Sequence, residues 1–396
     1  MILTKIEIEQ RKDRFYSLMN EKCPDWDIAV FFDRVNQYYF TGTMQNSVLI
    51  FLKSGEGHYF VKKSYKRAMI ESKFNNIHEM TSFRDIPSII GEHKYKNGYV
   101  EMGKLPMGLY NMINKYLDIE NEKSVDGKIT YQRSIKSAYE LEIMSEAGRK
   151  HNKFLREIVP CLLKEGMSEL EFAALYGHEM IKNGHQGMLN YNMFQPNTAS
   201  GDIAFGENSV YPTAFDGPGG TKGLYPVQSK LGNADRKLKQ GDMVFADWDF
   251  AYHGYHSDIT QIYIYKGSVS DEMLKAHNEC IKIKDMASKM LKPGVLPCDI
   301  YNKAMTTLNE KYKDNFMGAN NENVKFLGHG LGLCVDEMPV IAPRYDIPLE
   351  ENMVIAIEPK ISFEGTGLVG VEDTYIVTKD GGLCITGGMD DIIEVN

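Results

Sequence analysis

In the second half of the chain several acids and one histidine stand out of pattern. In DMVFADWDFAY, alternate side chains of a strand face one way, so Met243, Phe245, Asp247 and Asp249 would share a face. Two acids thus emerge from a largely apolar strand. Asp258 follows beyond HGYHS, which reads as a turn, at the start of DITQIYIY, so a hairpin would set Asp247 and Asp258 side by side. Adjacent carboxylates inside a sheet repel each other and resist desolvation unless protons or a cation compensate, so burial of the pair would point to metal. A solvent-facing pair at a strand end is the other reading of the same spacing.

Glu358 ends the apolar strand of MVIAIEPKIS, and Glu372 lies inside the apolar strand of LVGVEDTYIVT. A Glu between Val and Ile is expensive to bury alone, which adds to the case for a shared cation. In FLGHGLGLCVDEMP, Gly328, Gly330 and Gly332 surround His329 and let the backbone approach a neighbour closely. His329 is either an imidazole ligand or a turn residue. Together Asp247, Asp258, His329, Glu358 and Glu372 form an oxygen-rich, single-nitrogen set suited to two divalent ions of the Mn, Co, Fe or Zn kind. Paired ions of this sort activate water near neutral pH and stabilise the developing oxyanion of amide hydrolysis.

The elements that must position these residues follow from the rest of the chain. With 396 residues, 43% apolar and 25% charged, the protein exceeds one ordinary core and falls in the globular class. The 45 Lys and Arg against 54 Asp and Glu give a formal charge of −9, which offers no basic surplus for nucleic acid. Neither an apolar run of membrane-spanning length nor a signal-peptide pattern is found. Six scattered cysteines without a CxxC pair fit reduced thiols, hence a cytoplasmic location. The pattern predicts an amino-terminal helix over EIEQRKDRFYSLMNEK, strands at DIAVFF, YYFTG, SVLIFL and GHYFV, and a polar, turn-rich junction over 121–136. We place one domain at 1–130 and a second at 131–396. Helices are predicted over KSAYELEIMSEAGRKHNKFLREIV, SELEFAALYGHEMIKNG and SDEMLKAHNECIKIKDMASKML, and a long Gly- and Pro-rich loop system over 190–234.

The ordered group GDMVFADWDFAYHGYHSDIT, GHGLGL, MVIAIEP and GVEDTYIVT resembles the pita-bread metallopeptidase family of methionine aminopeptidase, aminopeptidase P, prolidase and creatinase. The first half is similar to the creatinase-type amino-terminal domain, seen in RFYSLMNEKCPDWDIAVFFDRVNQYYFTG. The resemblance implies an α/β (α+β) fold, a pita-bread catalytic domain behind a smaller α/β domain, and often a homodimer. It also implies that Asp247 and Asp258 bind metal from one hairpin, that His329 and Glu358 hold one ion, that Glu372 bridges both, and that Glu358 shuttles a proton.

Departures cluster at the presumed site. Asp336 stands where the prolidase branch carries His, no histidine lies between His185 and His253, Asp249 replaces a common Gly, and Gln261 a common Arg. The lost contacts could pass to His256, Tyr191, Tyr211 or Tyr225. The leading expectation is a di-metal amide hydrolase acting near the amino terminus of a short peptide, with Glu358, Asp336 and Asp249 as working residues. The alternatives are a non-peptidase of the same fold, creatinase-like or resembling the dimethylsulfoniopropionate lyase, acting on a small cationic substrate, and a non-catalytic binding protein.

Overall fold

Helix starts in this chain are set by short polar side chains that satisfy otherwise unpaired backbone amides. Ser137 with Glu140 and Ser168 with Glu171 form reciprocal capping boxes ahead of helices Ala138–Lys153 and Glu169–Lys182. Ser270 caps the 20-residue helix Asp271–Met290 by accepting from the Met273 amide. The computed structural model describes residues 3–192, 201–319 and 322–396, and the chain divides into two compact units, Met1–Arg133 and Ser134–Asn396.

The first unit is built on a six-stranded mixed sheet in the order Ile77–Glu79, Gly57–Lys63, Asn46–Leu52, Ile28–Phe31, Tyr95–Val100, Ile119–Ser124. Ile28, Val30, Val48, Ile50 and Phe60 pack with Ile113 and Leu117 into one buried cluster. Phe15 of helix Lys5–Lys22 meets Phe31, Phe40 and Phe51 in a second cluster, with ring centroids 5.3–5.5 Å apart. Two local expectations fail here. YYFTG is not a strand but the end of helix Arg34–Thr41, because Asp33 caps its first turn and Gly42, at φ 73°, closes it in the left-handed region. The polar junction 121–136 is not a run of turns either, since most of it is edge strand Ile119–Ser124 and helix Asp126–Ser134.

The second unit carries two larger sheets. One runs Ile393–Val395, Thr260–Tyr265, Met243–Asp247, Asp202–Phe205, and the other runs Glu337–Ile341, Gly328–Gly330, Val354–Ile357, Asp373–Thr378, Gly381–Cys384. A small ribbon pairs Lys360–Phe363 with Gly367–Gly370. Helix Asp271–Met290 packs on that ribbon, and helix Ala138–Lys153 packs on the hairpin Phe250–Tyr252/Tyr255–Ser257. HGYHS is therefore partly strand. The stretch 190–234 also contains a strand, Asp202–Phe205, which pairs antiparallel with Met243–Asp247, while its residues 193–200 lie outside the described residues.

Candidate metal centre

The two large sheets of the second unit each deliver part of one site. Strand Met243–Asp247 ends at Asp247, opposite Thr260 in register, so Asp247 and Asp258 come from neighbouring strand ends. Asp249 lies just past its strand and, like Asp258, is buried. His329 is held in the middle of the three-residue strand Gly328–Gly330, hydrogen-bonded on both sides. A Cβ on Gly328 would stand 2.1 Å from the Ala356 carbonyl oxygen, and one on Gly330 2.1 Å from that of Met338. Only glycine lets the flanking strands close on His329 from both sides. Glu358 and Glu372 leave the ends of the adjoining strands Val354–Ile357 and Asp373–Thr378.

These residues line one cleft, and Asp249 and Asp336 line it as well. His329 Nε2 lies 3.6 Å from Asp258 Oδ2 and 3.5 Å from Glu358 Oε1, while its Nδ1 is 3.6 Å from Asp336 Oδ1. Asp258, His329 and Glu372 each offer a ligand atom within 4.8 Å of the others, and so do Asp247, Glu358 and Glu372. Among the described residues Asp249 Oδ1, Asp258 Oδ1, Asp336 Oδ2 and Glu372 Oε1 are buried without a hydrogen-bond partner. Unpaired buried carboxylate oxygens around one imidazole are the donor set of a hard or borderline divalent cation, and the residues present fit such an ion.

The electrostatics agree. Burial first, then the charge of Asp247, pushes Asp249 up to about 7. Burial pushes Glu372 up to about 8, with Lys360 pulling the other way and Glu358 and Asp247 adding to the rise. Asp258 is driven well up by burial and then by Asp249, Glu372, Asp247 and Glu358. Burial alone would lower His329, but Asp336, Glu358, Glu372 and Asp249 outweigh it and hold the ring at about 9. Crowded buried acids keep protons unless cations neutralise them, and metal binding releases those protons.

Several groups escaped the sequence reading. Lys360 is fully buried, and its Nζ donates to Glu358 Oε2 at 2.7 Å, Asp247 Oδ2 at 3.0 Å and Glu372 Oε2 at 3.2 Å. Burial works against its charge, yet Asp247, Glu358 and Glu372 together hold it well above the usual lysine range. Extended backbone puts residues two apart on one face, so Glu358-Pro359-Lys360 carried that signal. Asp202, directly opposite Asp247 in register, pairs with buried Lys230, whose ammonium lies 4.0 Å from the Phe215 ring centre. All three line the cleft. Of the residues considered as replacements, Tyr191 lines it, and Tyr211 lines a neighbouring cavity. His256 is buried between the Gly332 carbonyl and the Asn190 amide, and Gln261 donates to the carbonyls of Ile262 and Asp391. His185 accepts from the Ala251 amide.

A carboxylate–imidazole ring at the junction of two sheets, with a separate α/β unit ahead of it, defines a metallohydrolase. Residues 142–379 match metallopeptidase family M24, and residues 11–135 match the creatinase/prolidase N-terminal domain. The chain belongs to metallopeptidase family M24. It is 27% identical over 383 residues to a Xaa-Pro dipeptidase of Pyrococcus furiosus, covering 96% of this chain and 98% of that protein. The solved structure of a prolidase from Pyrococcus furiosus superposes with a TM-score of 0.76 at 26% identity, covering 94% and 99% of the two chains. A Xaa-Pro dipeptidase from Bacillus anthracis gives a TM-score of 0.80 at 22% identity, covering 98% and 99%. The fold is accordingly a creatinase-type amino-terminal domain followed by a pita-bread catalytic domain.

Proposed function

We propose that the protein is a metal-dependent Xaa-Pro dipeptidase or aminopeptidase that cleaves an amide bond near the amino terminus of a short peptide, with residues 131–396 carrying the catalysis. The observation that carries this reading is the gathering of Asp247, Asp258, His329, Glu358 and Glu372 on one cleft, with unpaired buried oxygens among them. The names of the relatives at 27% and 26% identity support the substrate class. Mn, Co, Fe and Zn all suit such donors, and a bound ion supplies Lewis acidity and brings the pKa of water toward neutrality.

In this reading the side chains divide the remaining work. Glu358 Oε2 is held by Lys360, which leaves Oε1, on the His329 side, to accept a proton and return it to the leaving amine. Asp249 and Asp336 bring negative charge to the cleft and serve to orient the cationic amino terminus of the peptide. Lys230 is the cleft cation with its tip nearest an aromatic face, and it supports binding of a substrate carboxylate in exchange for Asp202. A cytoplasmic setting is supported by six free cysteines, and a homodimer by the family resemblance; light scattering tests the latter.

The test is turnover of a panel of Xaa-Pro dipeptides and tripeptides by protein reconstituted with Mn or with Co, after elemental analysis has established occupancy. Cleavage specific for the Xaa-Pro bond is expected. A metal-loaded protein inert toward the whole panel would refute the peptidase reading and direct the search to small cationic substrates.

A further inference from the structure

The Lys360 ammonium has three N–H donors and no acceptor. Each donor has one carboxylate oxygen at hydrogen-bond distance, from Asp247, Glu358 and Glu372, at 3.0, 2.7 and 3.2 Å. Those three residues are also one of the two groups able to converge on a metal. A divalent ion on the same oxygens would sit at about 2.0–2.2 Å from each, within the space the ammonium fills and against its charge. Lys360 cannot relax toward water from where it stands, because its side chain is fully buried.

The other convergent group is different in kind. Asp258 Oδ1 and Glu372 Oε1 have no hydrogen-bond partner among the described residues, and the third member, His329, presents Nε2 to Asp258 and Glu358. Resting on the reading of this cleft as a metal centre, we propose that Lys360 is a built-in cation that takes the place of one of the two ions expected from the ligand set. The chain then binds a single divalent ion, at Asp258, His329 and Glu372. Lys360 fixes Asp247, Glu358 and Glu372 in place by hydrogen bonds whether or not an ion is loaded, so half of the site is organised by the fold itself.

The test counts ions. Full-length protein is dialysed against Mn(II) at saturating concentration and analysed for bound manganese and by electron paramagnetic resonance, alongside Lys360→Ala and Lys360→Met. The wild-type chain is expected to hold one ion per chain with the spectrum of an isolated Mn(II). Lys360→Ala is expected to hold two, with the broadened, exchange-coupled spectrum of a pair. Two ions in the wild-type chain would overturn the proposal and leave the peptidase reading intact. One ion in folded Lys360→Ala and Lys360→Met would equally overturn it, since the ammonium would then not be what limits the count. Absence of bound metal in all three would overturn it together with the metallopeptidase reading. One ion in the wild type with no Xaa-Pro turnover would refute the peptidase reading and leave the single-ion site standing. The wild-type count stands even where neither variant folds.

Discussion

His151 offers a quantitative check on how the site is held. The ring is fully buried on helix Ala138–Lys153, stacked on Phe250 with centroids 5.7 Å apart, and its Nδ1 is 3.3 Å from Ser257 Oγ. Nε2 has no hydrogen-bond partner among the described residues. Burial, reinforced by the nearby His185, pushes the ring from 6.5 down to about 3. Between those values the unfolded chain binds the proton and the folded chain does not, so stability rises with pH across this window and is lost as pH falls below 6.5. At pH 5 the unfolded state gains about RT ln 30, roughly 2 kcal/mol, which corresponds to a fall in Tm of about 4–8 °C for a unit of this size. Phe250 and Ser257 stand next to Asp249 and Asp258 in the chain, so the ring packs against the strands that carry those acids. Metal-free wild type and His151→Gln are compared by urea denaturation at pH 7 and pH 5. The wild type should lose about 2 kcal/mol more than the variant over this interval. Parallel losses in the two proteins would refute the assignment of a buried neutral imidazole.

Three further outcomes are expected. Chelation should abolish peptide turnover, and restoring free Mn(II) to about 100 times its Kd should stabilise the fold by about 2.7 kcal/mol, read as a rise in Tm; a Tm indifferent to metal would show that the folded chain holds no ion in preference to the unfolded one. Lys284 is buried against Asp373, the residue after Glu372, so Lys284→Met should cost about 3–5 kcal/mol in urea unfolding and weaken metal retention, whereas a change under about 1 kcal/mol would show the pair to be dispensable. Asp336→His should raise kcat/KM for Xaa-Pro dipeptides by at least about 10-fold if a missing imidazole limits the rate, and an unchanged value in the metal-loaded variant would show that it does not.

What was legible in the sequence was the acids that break an apolar pattern. Asp247, Glu358 and Glu372 each interrupt or end a run of Val, Ile, Ala or Phe, Asp258 opens the strand that follows the hairpin turn, and the structure brings all four to one cleft with His329. The residues that escaped were cations and their partners rather than the acids that break the pattern. Lys360 passes unnoticed because a single lysine at a strand start gives no hint of burial, and only its two-residue offset from Glu358 points to the site. Asp202 and Lys230 sit in a stretch whose Gly and Pro content masks a four-residue strand, and their pairing spans 28 residues. YYFTG carries a strand signal because Tyr, Phe and Thr favour strands, while helix Arg34–Thr41 is fixed by Asp33 and Gly42 at its ends. Strands as short as Gly328–Gly330 have no periodicity to detect, and pairing on both sides decides them.

The backbone at Asp336 lies at φ 58°, where only glycine, asparagine, aspartate and histidine sit with ease. In the genetic code each of the other three is one base change from an aspartate codon. Aspartate to histidine exchanges a proton acceptor for an imidazole 3.6 Å from His329 Nδ1 without demanding a new backbone. The side chain that faces His329 from this loop can thus change by a single base without a new backbone, while at 328 and 330 any side chain would meet a backbone carbonyl, so the histidine strand has no such freedom.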